Sequence, residues 1–162
     1  MAELTNLETK LGEVIGLAMA AQAATERVEK LTDDGALKKQ LQTMREEAAK
    51  AEQDGVAVAG SIDGKKGKIL AEARSVKTKG ANMMKTYLER GSDELDGYEF
   101  LTMAEAGEVG HWSVLQQLNK QARHPGVRQL IGTHLPIQKR HLKDVMATSL
   151  VLAAKEDPNA AA

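Results

Sequence analysis

Apolar residues recur every three or four positions through most of the chain, which is the spacing of amphipathic α-helices rather than the alternation of strands. The first stripe is Leu7, Leu11, Val14, Ala18, Ala21, Thr25 and Val28, and it predicts a helix from about Asn6 to Leu31. Thr5, with Glu8 three residues on, supplies a capping-box pattern at its start. Thr32, Asp33, Asp34 and Gly35 predict a tight turn that caps a second helix, about Ala36 to Gln53, with Leu37, Leu41, Met44, Ala48 and Ala51 inward. Gly55, Gly60, Gly64 and Gly67 then punctuate the chain, so Asp54 to Gly67 reads as a flexible loop. A third helix, about Lys68 to Arg90, places Ile69, Ala73, Val76, Gly80, Met83 and Tyr87 on one face. Gly91, Ser92 and Asp93 end it, and Asp96 with Glu99 predicts the cap of a fourth helix from about Gly97 to Ala122. Pro125 suits the first position of a fifth, which runs to about Ala154. Pro136 lies inside that helix and leaves the Gly132 carbonyl without its usual donor, so a kink or a break is expected there.

Two short helical hairpins joined by a long connection predict an all-α fold, a bundle of antiparallel helices with one crossover. Composition supports this. Only four residues are aromatic (Tyr87, Tyr98, Phe100 and Trp112), and the chain is filled instead with Ala, Leu, Lys, Glu, Gln and Met. With 162 residues and 42% of them hydrophobic, the whole chain is read as one domain with a real core. The formal charge of −1 gives no overall field towards nucleic acid or an anionic membrane. There is no cysteine, which excludes disulfides, thiol nucleophiles and Cys-ligated metals. The opening MAELTNLETKLGEV has neither the basic start nor the apolar middle of a signal peptide, and a cytoplasmic protein is expected. Residues 65–90 carry eight basic residues against two acidic ones, which reads as a solvated helix face because no recognition motif accompanies them.

The chemistry lies where two stripes stop being apolar. The fourth helix reads Leu101, Ala104, Glu108, His111, Leu115, Leu118 and Ala122, with Glu105 on the flank. The fifth reads Val127, Ile131, His134, Gln138, His141, Val145, Thr148 and Leu152. Antiparallel helices turning near Arg123 to Pro125 pair residues whose numbers sum to about 248, a register that follows from the tight turn itself. The polar stretches of the two helices therefore meet at one depth. Buried without partners, each such group costs at least ~1–3 kcal/mol. A cation held between Glu oxygens and His nitrogens satisfies them together, and Glu-x-x-His on one helix face is a recurring di-metal device. Glu108-Val-Gly-His111 has that spacing, and Gln138-Lys-Arg-His141 has it with Gln for Glu. A metal-free Glu–His network with a buried water would also satisfy these groups, and a modest helix rotation would move His111 or His134 to an exposed edge.

At LTMAEAGEVGHWSVLQQL, read with LKKQLQTMREEAAKAEQ, the chain resembles the ferritin-like superfamily, and within it the small bacterial YciE/YciF-type stress proteins. The resemblance spans most of residues 5–155. It implies a ferritin-like antiparallel four-helix bundle with an additional helix in the long crossover, and a metal site in which Glu105, Gln138 and His141 are ligand positions. The first hairpin matches less well. Glu46 falls where a ligand Glu is expected, but its His partner falls on Ala49 and the first-helix Glu falls near Ala18. The expectation is thus a partial site drawn from Glu105, Glu108, His111, His134, Gln138 and His141. It would hold iron or manganese ahead of zinc, or no metal, and would support at most a ferroxidase or peroxidase-like oxidoreductase reaction. The runner-up is a metal-free scaffold acting through a partner. A homo-oligomer is expected, with neither nucleic acid nor membrane as partner.

Overall fold

A computed structural model describes residues 3–161, and five α-helices account for nearly all of them: α1 (Asn6–Glu29), α2 (Gly35–Ser61), α3 (Lys66–Tyr87), α4 (Glu94–Ala122) and α5 (Pro125–Ala153). No strand occurs among the described residues. No helix among them is long and apolar enough to cross a membrane.

The helix starts follow cap chemistry. Glu8 N donates to Thr5 Oγ1 at 3.2 Å while Thr5 N donates to the Glu8 carboxylate at 2.7 Å, the reciprocal box expected from the sequence. Asp34 Oδ1 accepts from Ala36 N and Leu37 N. The α4 cap is Asp93 with Asp96, not Asp96 with Glu99, so that helix begins a turn earlier than expected. Both pairs share the i, i+3 acidic spacing, and the pair nearer the Gly91 turn captures the free backbone donors. Between α4 and α5, Arg123 takes a left-handed conformation (φ 55°). Asn119 ties the turn down, donating to His124 O and accepting from His124 N.

The loop expected at the glycines fails, and of the kink or break expected at Pro136 the break does not occur. The glycine-rich stretch is not a loop, because α2 continues to Ser61 and only residues 62–65 turn. Gly55 is buried in that helix, and a Cβ there would lie 2.6 Å from Ile15 Cγ1. The glycine permits close approach of α1, a tertiary reason that outweighs a helix-interior cost of ~0.5–1 kcal/mol. At Pro136, α5 runs on unbroken. Pro136 and Gly132 both lie on the exposed side, where water can take the place of the missing donor to the Gly132 carbonyl.

Helices α1, α2, α5 and α4 form a closed ring of neighbours, and α3 packs outside against α1. Each adjacent pair in the ring is antiparallel: Ile15 meets Gly55, Val28 meets Gly97, Glu108 meets Gln138, and Asp54 meets His134. Helix α3 runs parallel to α1, since Gly12 lies against Ile69, Gly16 against Ala73, and Gly80 against Ala20. It thereby carries the chain back along the bundle, so that α2 and α4 point the same way. A Cβ on Gly16 would sit 2.4 Å from the Ala73 carbonyl oxygen, which fixes how closely these two helices pack. Beyond Ala73 the expected inner face of α3 opens out, leaving Met83 and Tyr87 about half exposed.

The apolar core is in two pieces. One gathers Leu11, Ile15, Ile69, Trp112, Leu115 and Ile131; the other gathers Val28, Leu41, Met44, Tyr98, Leu101 and Val145. Along α4 and α5 the gap between them is occupied by Glu105, Glu108, Gln138 and His141, all buried.

Candidate functional site: a buried carboxylate–histidine layer

The α5 stripe is buried as the spacing predicts, with His134, Gln138 and His141 each no more than 2% exposed. The α4 stripe is rotated from the expected one. Leu101, Glu105, Glu108, Trp112, Leu115 and Asn119 face inward, and His111 does not. Trp112 carries far more apolar surface than a histidine, and burying it turns α4 so that Glu105 enters the layer and His111 moves to its edge. The presence of a lone Trp beside His111 was the sequence signal for that rotation.

Within the layer, Gln138 Nε2 donates to Glu108 Oε2 at 2.6 Å. One turn away, His141 Nδ1 lies 3.6 Å from Glu105 Oε2, and His141 Nε2 lies 3.7 Å from Glu47 Oε2 on α2. The paired numbers 108 with 138 and 105 with 141 each sum to 246, close to the register expected from the turn. Both histidine distances exceed hydrogen-bond length, and Glu105 Oε2, His141 Nε2 and Gln138 Oε1 have no hydrogen-bond partner in the protein. Burial, together with the charge of Glu105 beside it, raises the Glu108 carboxyl well above the ordinary carboxylate range.

His134 stands apart, towards the Trp112 end. Its Nε2 is 2.9 Å from Asp54 Oδ2, and its ring tilts against Trp112 with centroids 5.8 Å apart. Burial pushes the Asp54 carboxyl up, but hydrogen bonds from Lys50 and His134 outweigh this and leave it lowered. His111 is half exposed, with Nδ1 3.0 Å from Glu13 Oε2 and 3.2 Å from Lys10 Nζ. Glu46 and Ala49 are exposed on the outer side of α2 and do not reach the layer.

Sequence reasoning missed Glu47 and Asp54. Continuing the α2 stripe from Ala48 and Ala51 through Gly55 to Ala59 would have kept Asp54 on a helix, one position from the inward face. Nothing in the sequence singled out Glu47 over Glu46; only the packing of α2 on α5, with Arg140 paired to Glu47, does so.

As a metal site, the layer fits one ion better than two. Two donors bound at ~2.1 Å and subtending ~110–120° stand ~3.4–3.6 Å apart, which matches the separation of Glu105 Oε2 from His141 Nδ1. The Glu47 carboxylate lies on the side of the other ring nitrogen at 3.7 Å, and would have to close in to hydrogen-bond length to orient the ring as carboxylates behind metal-bound histidines do. Among the described residues, however, no three Asp, Glu or His side chains converge on one point. Glu108 would have to turn from Gln138 to become a third donor. With Ala18 buried on α1 and Glu46 outside, neither of these first-hairpin positions brings a donor into the layer for a second ion.

Comparison with protein families, with characterised proteins and with solved structures finds no match for this chain.

Proposed function

We propose that this chain is a ferritin-like helical bundle that binds a single divalent transition-metal ion at its centre, through Glu105 and His141, with Glu108 as the third donor. The order of the helices supports the fold: two antiparallel hairpins joined by a connection as long as the bundle. The observation that carries the metal is the 3.6 Å separation of Glu105 Oε2, buried without a hydrogen-bond partner, from Nδ1 of the buried His141, the spacing of two ligands of one ion and not of a hydrogen bond. Iron or manganese there would supply one-electron chemistry with oxygen or peroxide. The protein's part is to exclude bulk water, hold the carboxylates and orient the imidazole through Glu47.

Binding to the folded chain alone must raise stability, by ~2.7 kcal/mol at a hundredfold excess over the dissociation constant. Addition of Mn²⁺ or Zn²⁺ to chelator-washed protein is expected to raise the melting temperature, saturating at about one equivalent per chain, and Glu105→Gln or His141→Ala should remove the rise. A melting curve that no divalent ion shifts overturns the metal.

The second reading is a metal-free scaffold, favoured by the Glu108–Gln138 hydrogen bond, which already satisfies one carboxylate without an ion. In that reading the function lies on the surface, and self-association through the exposed α5 residues Met146 and Leu150, one turn apart, is the proposed interaction. Sedimentation of the wild type and of Leu150→Glu tests it, a single monomeric species in both being the adverse result.

A further inference from the structure

Helix α3 stands outside the ring against α1 and buries only Ile69 and Ala73. Eight basic residues against two acidic ones give residues 65–90 a charge of +6, in a chain whose whole charge is −1. Positive charge is therefore gathered here and not spread over the surface. Lys66, Arg74, Lys77, Lys79 and Lys85 are all exposed, and among the described residues none of them is in an ion pair. Elsewhere Lys30, Arg45, Lys50 and Arg140 each sit beside a carboxylate. Glu72, the one acidic residue of α3, is drawn in against Gly12 of α1.

At 100° and 1.5 Å per residue, Lys66, Arg74, Lys77 and Lys85 fall within about 100° of one another around α3 and along about 28 Å of its axis. Helix stability does not account for them. Lys66 is the first residue of α3, where the dipole favours an anion, and Arg74 and Lys77, three apart, repel each other. The exposed neighbours Ser75, Thr78 and Asn82 are polar and uncharged, suited to phosphate oxygens. A membrane surface would need an apolar face turned outward, but of the large apolar residues of α3 only Met83 and Tyr87, near its end, are exposed. Single strands are held by stacking on aromatic side chains, and Tyr87, the one aromatic of α3, already stacks on Phe100. A duplex asks only for cations along its backbone.

We propose that the outer face of α3 binds the phosphodiester backbone of duplex nucleic acid, without reading its sequence, through Lys66, Arg74, Lys77 and Lys85. The solvated face expected from the sequence becomes a docking surface because the fold leaves its cations exposed, aligned and without carboxylates. The small net charge of the whole chain does not oppose this, since salt confines each charge's reach to about 8–10 Å and a phosphate on α3 meets the local charge. The binding does not rest on the metal reading, because α3 lies outside the ring that holds the carboxylate–histidine layer.

The test is fluorescence anisotropy of labelled DNA and RNA duplexes of about 20 base pairs, titrated with the full chain over a range of NaCl concentrations. Dissociation constants of ~1–100 μM are expected at physiological salt, as for binding without sequence preference. The slope of log affinity against log salt should be about −3.6, or −0.9 for each of four cations, a loss of about a hundredfold between ~50 and ~200 mM. The double variant Arg74→Gln, Lys77→Gln should reduce the slope by about 1.8 with an unchanged melting temperature, since both side chains are exposed and unpaired. Lys139→Gln with Lys143→Gln removes the same charge from exposed positions on α5 and should leave the slope as it is. Failure of both duplexes to bind at low salt, or a slope that the α3 and α5 variants lower equally, would overturn the proposal. So would binding to phosphatidylserine vesicles in place of the duplexes, which would make α3 a membrane-facing helix.

Discussion

Helix α4 bears two carboxylate–histidine groupings within a few residues of each other, and they behave differently. At its edge, His111 shares Glu13 with Lys10 across the α1 boundary, its side chain 42% exposed. Inside, Glu105 and Glu108 face His141 and Gln138, all but sealed from solvent. The side-chain chemistry is nearly the same. What differs is the medium. At the edge each charge keeps water as an alternative partner, so the contacts add little and break at little cost. In the layer a lost partner is not replaced, and every group is committed to its neighbours or to whatever binds there. Burial also reverses the direction in which the carboxyls shift. Glu13 is pushed up by its partial burial, but the hydrogen bond and charge of Lys10, with His111 beside it, leave it lowered, whereas Glu108, with another carboxylate for a neighbour, is raised.

The contrast is broken most directly by removing each histidine. His141→Leu removes the imidazole that faces Glu105 Oε2, an oxygen with no hydrogen-bond partner in the protein, and a destabilisation of ~1–3 kcal/mol is expected in urea titration. His111→Leu should stay within ~0.5 kcal/mol of the wild type. Equal midpoints for the two variants would show that the layer is hydrated and not the closed polar seam described above.

The next effect is a pH dependence carried by Glu108. A carboxyl raised on folding binds its proton more tightly in the native state, so it costs nothing below the unfolded value of ~4.3 and erodes stability as pH rises above it. In chelator-washed protein, Glu108→Gln should therefore match the wild type near pH 4 and become progressively more stable than it towards neutrality. A stability difference that does not change with pH would mean that Glu108 is ionised freely in the folded state.

Glu13 should give the smallest effect, with the opposite sign. Its carboxyl is lowered on folding, so its contribution is present above the unfolded value and is lost as pH falls through the folded one. Glu13→Gln is expected to cost ~0.2–1 kcal/mol at pH 7, less at high salt, and nothing once the pH is well below 4. Insensitivity to salt would be the result that counts against an edge ion pair.

How much of this was legible in the residues follows the range of the forces involved. The five helices, the Thr5 and Asp34 caps, Pro125 at the head of α5 and the inward face of α5 are written locally. Hydrogen-bonding periodicity and cap chemistry act within a few residues of chain. The α4–α5 register was legible too, because a tight turn leaves antiparallel neighbours little freedom. The rotation of α4 was decided elsewhere. Burying Trp112 in the core cluster it shares with Leu115 and Ile131 turned Glu105 inward and His111 outward, a choice among faces of one helix that depends on what the other helices offer. The continuation of α2 through Gly55 was likewise settled by Ile15 on another helix, against the local preference of glycine. Glu47 reached His141 for the same reason, through the packing of α2 on α5. Local sequence thus determined which segments are helical and which carry polar residues in their stripes. Only tertiary packing decided which of those polar residues share the dry interior, because burial belongs to the assembled bundle and not to any one helix.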